Sequence, residues 1–175
     1  MTMHHPCRGD SLRDCEQAFQ AVVVMHEKGL PLSAQLFTSL LRKCTCEEYL
    51  SLGRRVQELL LTMRRGGGSP TFYNFIANHL IRMFAMCGSL ADANQVFASL
   101  RAPNAHAWSA LIFAHTKLGR DDHAIHLFCT MLLQSNVYPD APVFVAVLKA
   151  CSNAQHFIQG KIIHSEVAAH ALESN

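Results

Sequence analysis

A chain of 175 residues can hold one or two globular domains or a single run of stacked repeats, and with half its residues apolar it can bury a core. A net charge of +2 is weak support for a polyanionic partner, and no continuous apolar run is long enough to span a membrane. Seven cysteines, an odd number with no secretory segment before them, favour a reducing compartment and buried thiols over a disulfide framework.

Residues 1–12 are polar and aperiodic and read as disordered. His4, His5 and Cys7 do not make a metal site, because two adjacent histidines cannot both face one ion without a shaped loop. The same stretch lacks the apolar core of a secretory signal and the basic residues of a transit peptide. From Arg13 to Lys28, the apolar residues Ala18, Phe19, Val22 and Met25 fall at helical spacing; Gly29 stops the helix and Ser33 can cap the next one. Ala34–Cys44 and Glu47–Arg64 predict a helical hairpin whose buried face carries Tyr49, Leu52, Val56, Leu59 and Leu60. Cys44 and Cys46 have the wrong spacing for a zinc knuckle and read as core thiols. Gly66, Gly67, Gly68, Ser69 and Pro70 read as a flexible, linker-like insertion, and no Gly-Lys-Ser/Thr follows to make it a phosphate loop. Ser89 with Asp92 predicts a capping box, Gly119 a helix end, and Asp121 and Asp122 a helix start favoured by the dipole.

The chain repeats itself. Leu80, Ile81, Gly88, Ala93 and Phe97 recur as Leu111, Ile112, Gly119, Ala124 and Phe128, each displaced by 31 residues. Cys44, Gly53, Arg54 and Val56 recur as Cys151, Gly160, Lys161 and Ile163, each displaced by 107. Aligning the apolar pairs at Leu40-Leu41, Leu80-Ile81, Leu111-Ile112 and Val147-Leu148 gives steps of 40, 31 and 36, whose total is the same 107. Such periods mark stacked helical hairpins, each contacting only its neighbours.

These residues resemble the pentatricopeptide repeat family, in its plant-type arrays of alternating standard, long and short repeats. Leu80 to Ala93 resembles the opening helix and turn of a short repeat. Trp108, Ser109, Leu111, Gly119, Ala124, Phe128, Met131, Pro139 and Asp140 resemble a standard one, and Phe144 to Cys151 with Gly160 to His164 a long one. The resemblance implies an all-α, right-handed α-solenoid of helix-turn-helix repeats. Its divisions would be a partial standard repeat at 13–33, a long repeat with the Gly-rich insertion at 34–73, a short repeat at 74–104, a standard repeat at 105–140 and a long repeat at 141–175. The chain then reads as part of a longer array.

Enzymatic chemistry finds no support. His164 and Glu166 match the start of a zinc deaminase motif, but no cysteine pair follows among the nine remaining residues. His115, His123 and His126 have no ligand-spaced thiol between them. The resemblance implies no cofactor and a single-stranded RNA partner read one base per repeat, with other RNA-processing or editing proteins as further partners and no membrane. Two side chains per repeat would read the base: the fifth residue of the first helix (Thr38, Asn78, Ser109 and Val145) and the last residue of the repeat (Ser33, Tyr73, Asn104, Asp140 and Asn175). The second residue (Gln35, Phe75, His106 and Pro142) would pack on it. By resemblance, Asn78 with Asn104 implies a pyrimidine, cytosine preferred, and Ser109 with Asp140 implies guanine. Lys117 stands at a phosphate-contacting position, and Arg42, Arg82 and Lys149 would add a basic stripe. The family implies a mitochondrion or chloroplast and a role in RNA processing or C-to-U editing. The rival is a protein-interaction scaffold of tetratricopeptide type, whose constant unit of 34 residues the steps here do not keep; a truncated array without activity of its own is a further alternative.

Overall fold

The computed structural model describes residues 9–134, 137–155 and 160–165, without the side chains of 9–11 and 134. His4, His5, Cys7, Glu166 and Asn175 therefore lie outside the described residues. Regular structure among the described residues is helical throughout: α1 (Gly9–Glu27), α2 (Ala34–Lys43), a 3-10 turn at Glu47–Tyr49 leading into α3 (Leu50–Arg65), α4 (Pro70–Met86), α5 (Leu90–Ala98), α6 (Ala105–Lys117), α7 (Asp121–Gln134), α8 (Ala141–Asn153) and a helical stretch over 160–165. None of these helices is long and apolar enough to cross a membrane. The chain divides into two compact units, Met1–Ser99 and Leu100–Asn175.

In the first unit α4 packs on α2, α3 and α5, while α1 packs on α2 and α3. The apolar stripes dictate this arrangement. Helix α2 buries Phe37, Leu40 and Leu41, and α3 buries Leu52, Val56 and Leu60. Gly53 lets α3 and α4 approach closely, since a Cβ there would lie 2.9 Å from a ring carbon of Phe84. Across the α3–α5 side, Arg54 donates to both carboxylate oxygens of Asp92 at 2.9–3.2 Å. Ser89 Oγ accepts from the Asp92 amide and donates to its carboxylate at 2.6 Å, so the expected capping box closes through the hydroxyl. In the second unit α6 packs on α7 and α8, and these two pack on each other.

Turn chemistry divides the helices. After α6, the Gly119 amide bonds to Thr116 O and the Arg120 amide to His115 O, with Gly119 at φ +70°. The left-handed residue after α8 is Gln155, at φ +58°. Cys44 caps the end of α2 and Cys151 sits in the last turn of α8, both buried, as their shared period requires.

Several expectations are corrected. Helix α1 begins at Gly9, inside the stretch read as disordered, and its buried face is Cys15, Phe19 and Val22 with Ala18 turned outward. The glycine-rich stretch is a closed turn, in which the Gly67 amide bonds to Arg64 O and the Gly68 amide to Met63 O. Ser69 then caps α4 and Pro70 occupies its first turn, so this helix starts one turn before the expected Asn74. Ser33 precedes α2 but makes no side-chain cap bond. Cys15, Cys44, Cys87 and Cys151 are buried thiols whose pKa values burial raises, Cys87 to about 12, whereas Cys46 is disulfide-bonded.

A left-handed backbone strains any side chain but glycine. Gly119→Ala should therefore destabilise the chain by about 1 kcal/mol, and Gln155→Gly should stabilise it by up to about 1 kcal/mol. Chemical denaturation of both variants against the parent checks the two opposite signs.

Candidate functional site

On the first unit, two packed first helices carry the expected site residues. Thr38 on α2 is half-buried, and its hydroxyl donates to Gln35 O at 3.1 Å. On α4, Phe75 is 47% exposed and meets His79 one turn on, ring centroids 5.1 Å apart. Between them in sequence, Asn78 Oδ1 is enclosed and has no hydrogen-bond partner among the described residues. An enclosed acceptor left unpaired costs about 1–3 kcal/mol. His79 was not anticipated. Its imidazole titrates below the usual histidine range, first because it is buried and then because Arg82 and Arg42 bear on it. Arg42 of α2 and Arg82 of α4 thus both act on this histidine electrostatically. The i, i+4 spacing of Phe75 and His79 was the signal that could have revealed it.

The second unit presents a different chemistry. Asn104 caps α6, its side chain accepting from the Ala107 amide at 2.9 Å. Asp140 caps α8 in the same way, accepting from the Val143 amide at 3.1 Å, while its other carboxylate oxygen faces His106 Nδ1 at 3.5 Å. Ser109 is only 7% exposed, and Val145, on the neighbouring α8, is 67% exposed. Lys117 and Lys149 are exposed. The structure therefore brings His106 and Asp140 together and places Ser109 and Val145 on packed helices. Asn78 and Asn104 fall in different units, and each is described within its own.

Tyr73 does not stand where a base-reading residue must. It is 3% exposed inside α4, its hydroxyl 2.6 Å from Ser99 Oγ and its ring beneath the Arg64 guanidinium. The residue immediately before α4, as Asn104 is before α6 and Asp140 before α8, is Ser69. Among the described residues no group of three or more His, Cys, Asp or Glu side chains could hold a metal ion. His164 is exposed on the 160–165 stretch, and its expected companion Glu166 lies outside the described residues.

No family model matches the chain. A pentatricopeptide repeat-containing protein of Arabidopsis thaliana is 31% identical over 168 residues, covering 96% of this chain and 18% of that protein. A mitochondrial pentatricopeptide repeat-containing protein of the same plant is 26% identical over 92% of this chain and 20% of its own length. A chloroplastic one is 27% identical over 98% and 19%. The chain thus spans about a fifth of the length of these curated relatives. Among solved structures, the PPR domain of Arabidopsis thaliana protein-only RNase P 1, crystallised in complex with tRNA, superposes with a TM-score of 0.63 at 16% identity, covering 92% of this chain and 84% of that one. That likeness gives the fold, an α-solenoid of helical hairpins. The matches support membership of the pentatricopeptide repeat family.

Half-buried His79 and buried His115 set a pH dependence. His79 and His115 both titrate below the ordinary 6.5, His115 through burial and then the nearby His123 and Arg120. As pH falls below 6.5 the unfolded chain takes up these protons first, so stability present above that value is lost on acidification. Denaturation midpoints should be lower at about pH 5.5 than at about pH 7.5, and His79→Gln should reduce the difference.

Proposed function

We propose that the chain is a sequence-reading, single-stranded RNA-binding repeat module, the specificity part of an organelle RNA-processing or C-to-U editing factor of the plant type. The observation that carries this reading is the Asn78 acceptor on α4, unpaired among the described residues, with exposed Phe75 on the same helix and the Arg42 and Arg82 cations near enough to lower the titration of His79. An exposed aromatic face can stack a base, an amide can meet its edge, and arginines can hold the phosphates. The tRNA bound to the structural neighbour supports RNA as the class of ligand. The mitochondrial and chloroplastic relatives support an organelle as its location. Any covalent chemistry on the RNA is assigned to a separate domain or partner.

Within this reading Asn78 is the residue that selects a pyrimidine. The guanine reading at Ser109 and Asp140 is weaker, because Ser109 is 7% exposed and Asp140 already serves as a cap and faces His106. The long repeat at 34–73 pairs Thr38 with Ser69, the residue that precedes α4, in place of Tyr73. A protein-interaction scaffold would require no unpaired amide on this face.

Asn78→Ala separates the readings. It removes an unpaired enclosed acceptor, so the unbound protein should be as stable as the parent or more so. Affinity for single-stranded RNA should fall by about 1–3 kcal/mol, with discrimination between pyrimidines and purines reduced. Parent binding should show a log–log salt slope of about −2 to −3, set by few phosphate contacts. Filter binding with RNAs differing at one base, together with denaturation, measures both effects. Unchanged RNA affinity with lowered stability would make Asn78 a packing residue and remove the RNA reading.

A further inference from the structure

The first unit also holds a cleft of about 380 Å³ where the end of α1, the end of α3 and the start of α4 meet, away from the Asn78 face. Its walls include Leu32, Leu60, Met63, Phe72 and Tyr73, and the half-exposed Leu30 stands among them. Arg64, Ser69 and His26 supply its polar side, and none of the lining residues is acidic. A void of roughly 150 Å³ with apolar walls suffices for benzene, so this cleft has room for a two-ring body.

Arg64 gives the cleft a fixed cation. One of its nitrogens donates to Ser99 O at 2.8 Å, and its guanidinium lies 4.8 Å over the Tyr73 ring. A guanidinium has five N–H donors, and a single hydrogen bond leaves the others available in a planar fork. Arg64 forms no ion pair among the described residues. The first turn of α4 beside it carries no acidic residue to oppose an incoming anion. The cation is therefore held in place by neutral neighbours, above an apolar wall, with its charge uncompensated.

We infer that this cleft is a binding site for a small anion with an aromatic body, the rings lying against Leu60 and Phe72 and the anionic head on Arg64. Apolar burial supplies the gross attraction, and the bidentate fork gives preference for a carboxylate or phosphate head over a neutral one. Ser69 lines the cleft and also takes part in the RNA reading, but Asn78, Phe75, His79, Arg42 and Arg82, which carry that reading, do not line it, so the two can be tested separately.

The test titrates the whole chain with 1-naphthyl phosphate and with neutral 1-naphthol, following methyl resonances of Leu30, Leu60 and Met63. Saturable shifts of these methyls are expected with the phosphate, and binding of the naphthol at least about tenfold weaker. Arg64→Gln should erase the tenfold preference, while Arg65→Gln, whose side chain does not line the cleft, should preserve it. Methyl mapping on the parent needs no variant to fold. Shifts confined to other regions, equal binding of the two compounds, or loss of the preference in Arg65→Gln as well as Arg64→Gln would each overturn the inference.

Discussion

Helix α4 is held by α2, α3 and α5, and the first unit depends on that packing. Tyr73, Ile76, Ala77, Leu80, Ile81, Met83, Phe84 and Ala85 are all buried along it. Each large aliphatic or aromatic side chain removed from water contributes about 1.5–3 kcal/mol. Against that, one unpaired amide oxygen at Asn78 costs about 1–3 kcal/mol. The helix can therefore hold an unsatisfied group on its remaining side without losing its place. The same packing fixes Phe75, His79 and Arg82 relative to Arg42 on α2, so the candidate site rests on helices whose positions are set by the core beneath them.

The hairpin pattern was legible because it is written in core residues. Leu80, Ile81, Ala93 and their counterparts Leu111, Ile112 and Ala124 are buried, and Gly88 and Gly119 both take left-handed conformations after the first helix. A period defined by core residues reports where helices face each other, but not where they begin. The start of α4 was missed for that reason: the Leu80-Ile81 register implies a start at Asn74, whereas Ser69 and Pro70 begin the helix one turn earlier. Three glycines ahead of a Ser-Pro pair look alike whether they form a flexible insertion or a capped turn. Only the bonds from Gly67 and Gly68 back to α3 decide between them. Cys46 was misread with Cys44 for a related reason, since spacing says nothing about which thiol a 3-10 turn leaves outside the core.

The site was legible in part. Phe75 and Asn78 could be placed by register alone, because a helix fixes which residues share a face. The i, i+4 spacing could place His79 beside Phe75, but not its depressed titration, which depends first on burial and then on Arg82 and on Arg42 from another helix. Ser109 shows the converse. Its register is that of Thr38 and Val145, yet Val145 is 67% exposed and Ser109 is 7% exposed, so equal positions in a repeat do not give equal access to a ligand.

Asn104 and Asp140 carry a further constraint. Both satisfy backbone amides at the start of the following helix, a cap contributing about 1 kcal/mol. Residues placed by resemblance as readers are thus also the residues that start α6 and α8. Their identity is restricted to the short list of good caps, and exchanging one for another alters recognition while keeping the helix. Asp140 is restricted further, because a ligand that takes its second carboxylate oxygen must compete with His106 at 3.5 Å. Asn78 has no such duty: among the described residues its oxygen makes no hydrogen bond, but it is enclosed, so a ligand donor reaches it only if the side chain turns outward. Recognition at Asn78 is therefore coupled to the packing around α4 and not to a helix cap.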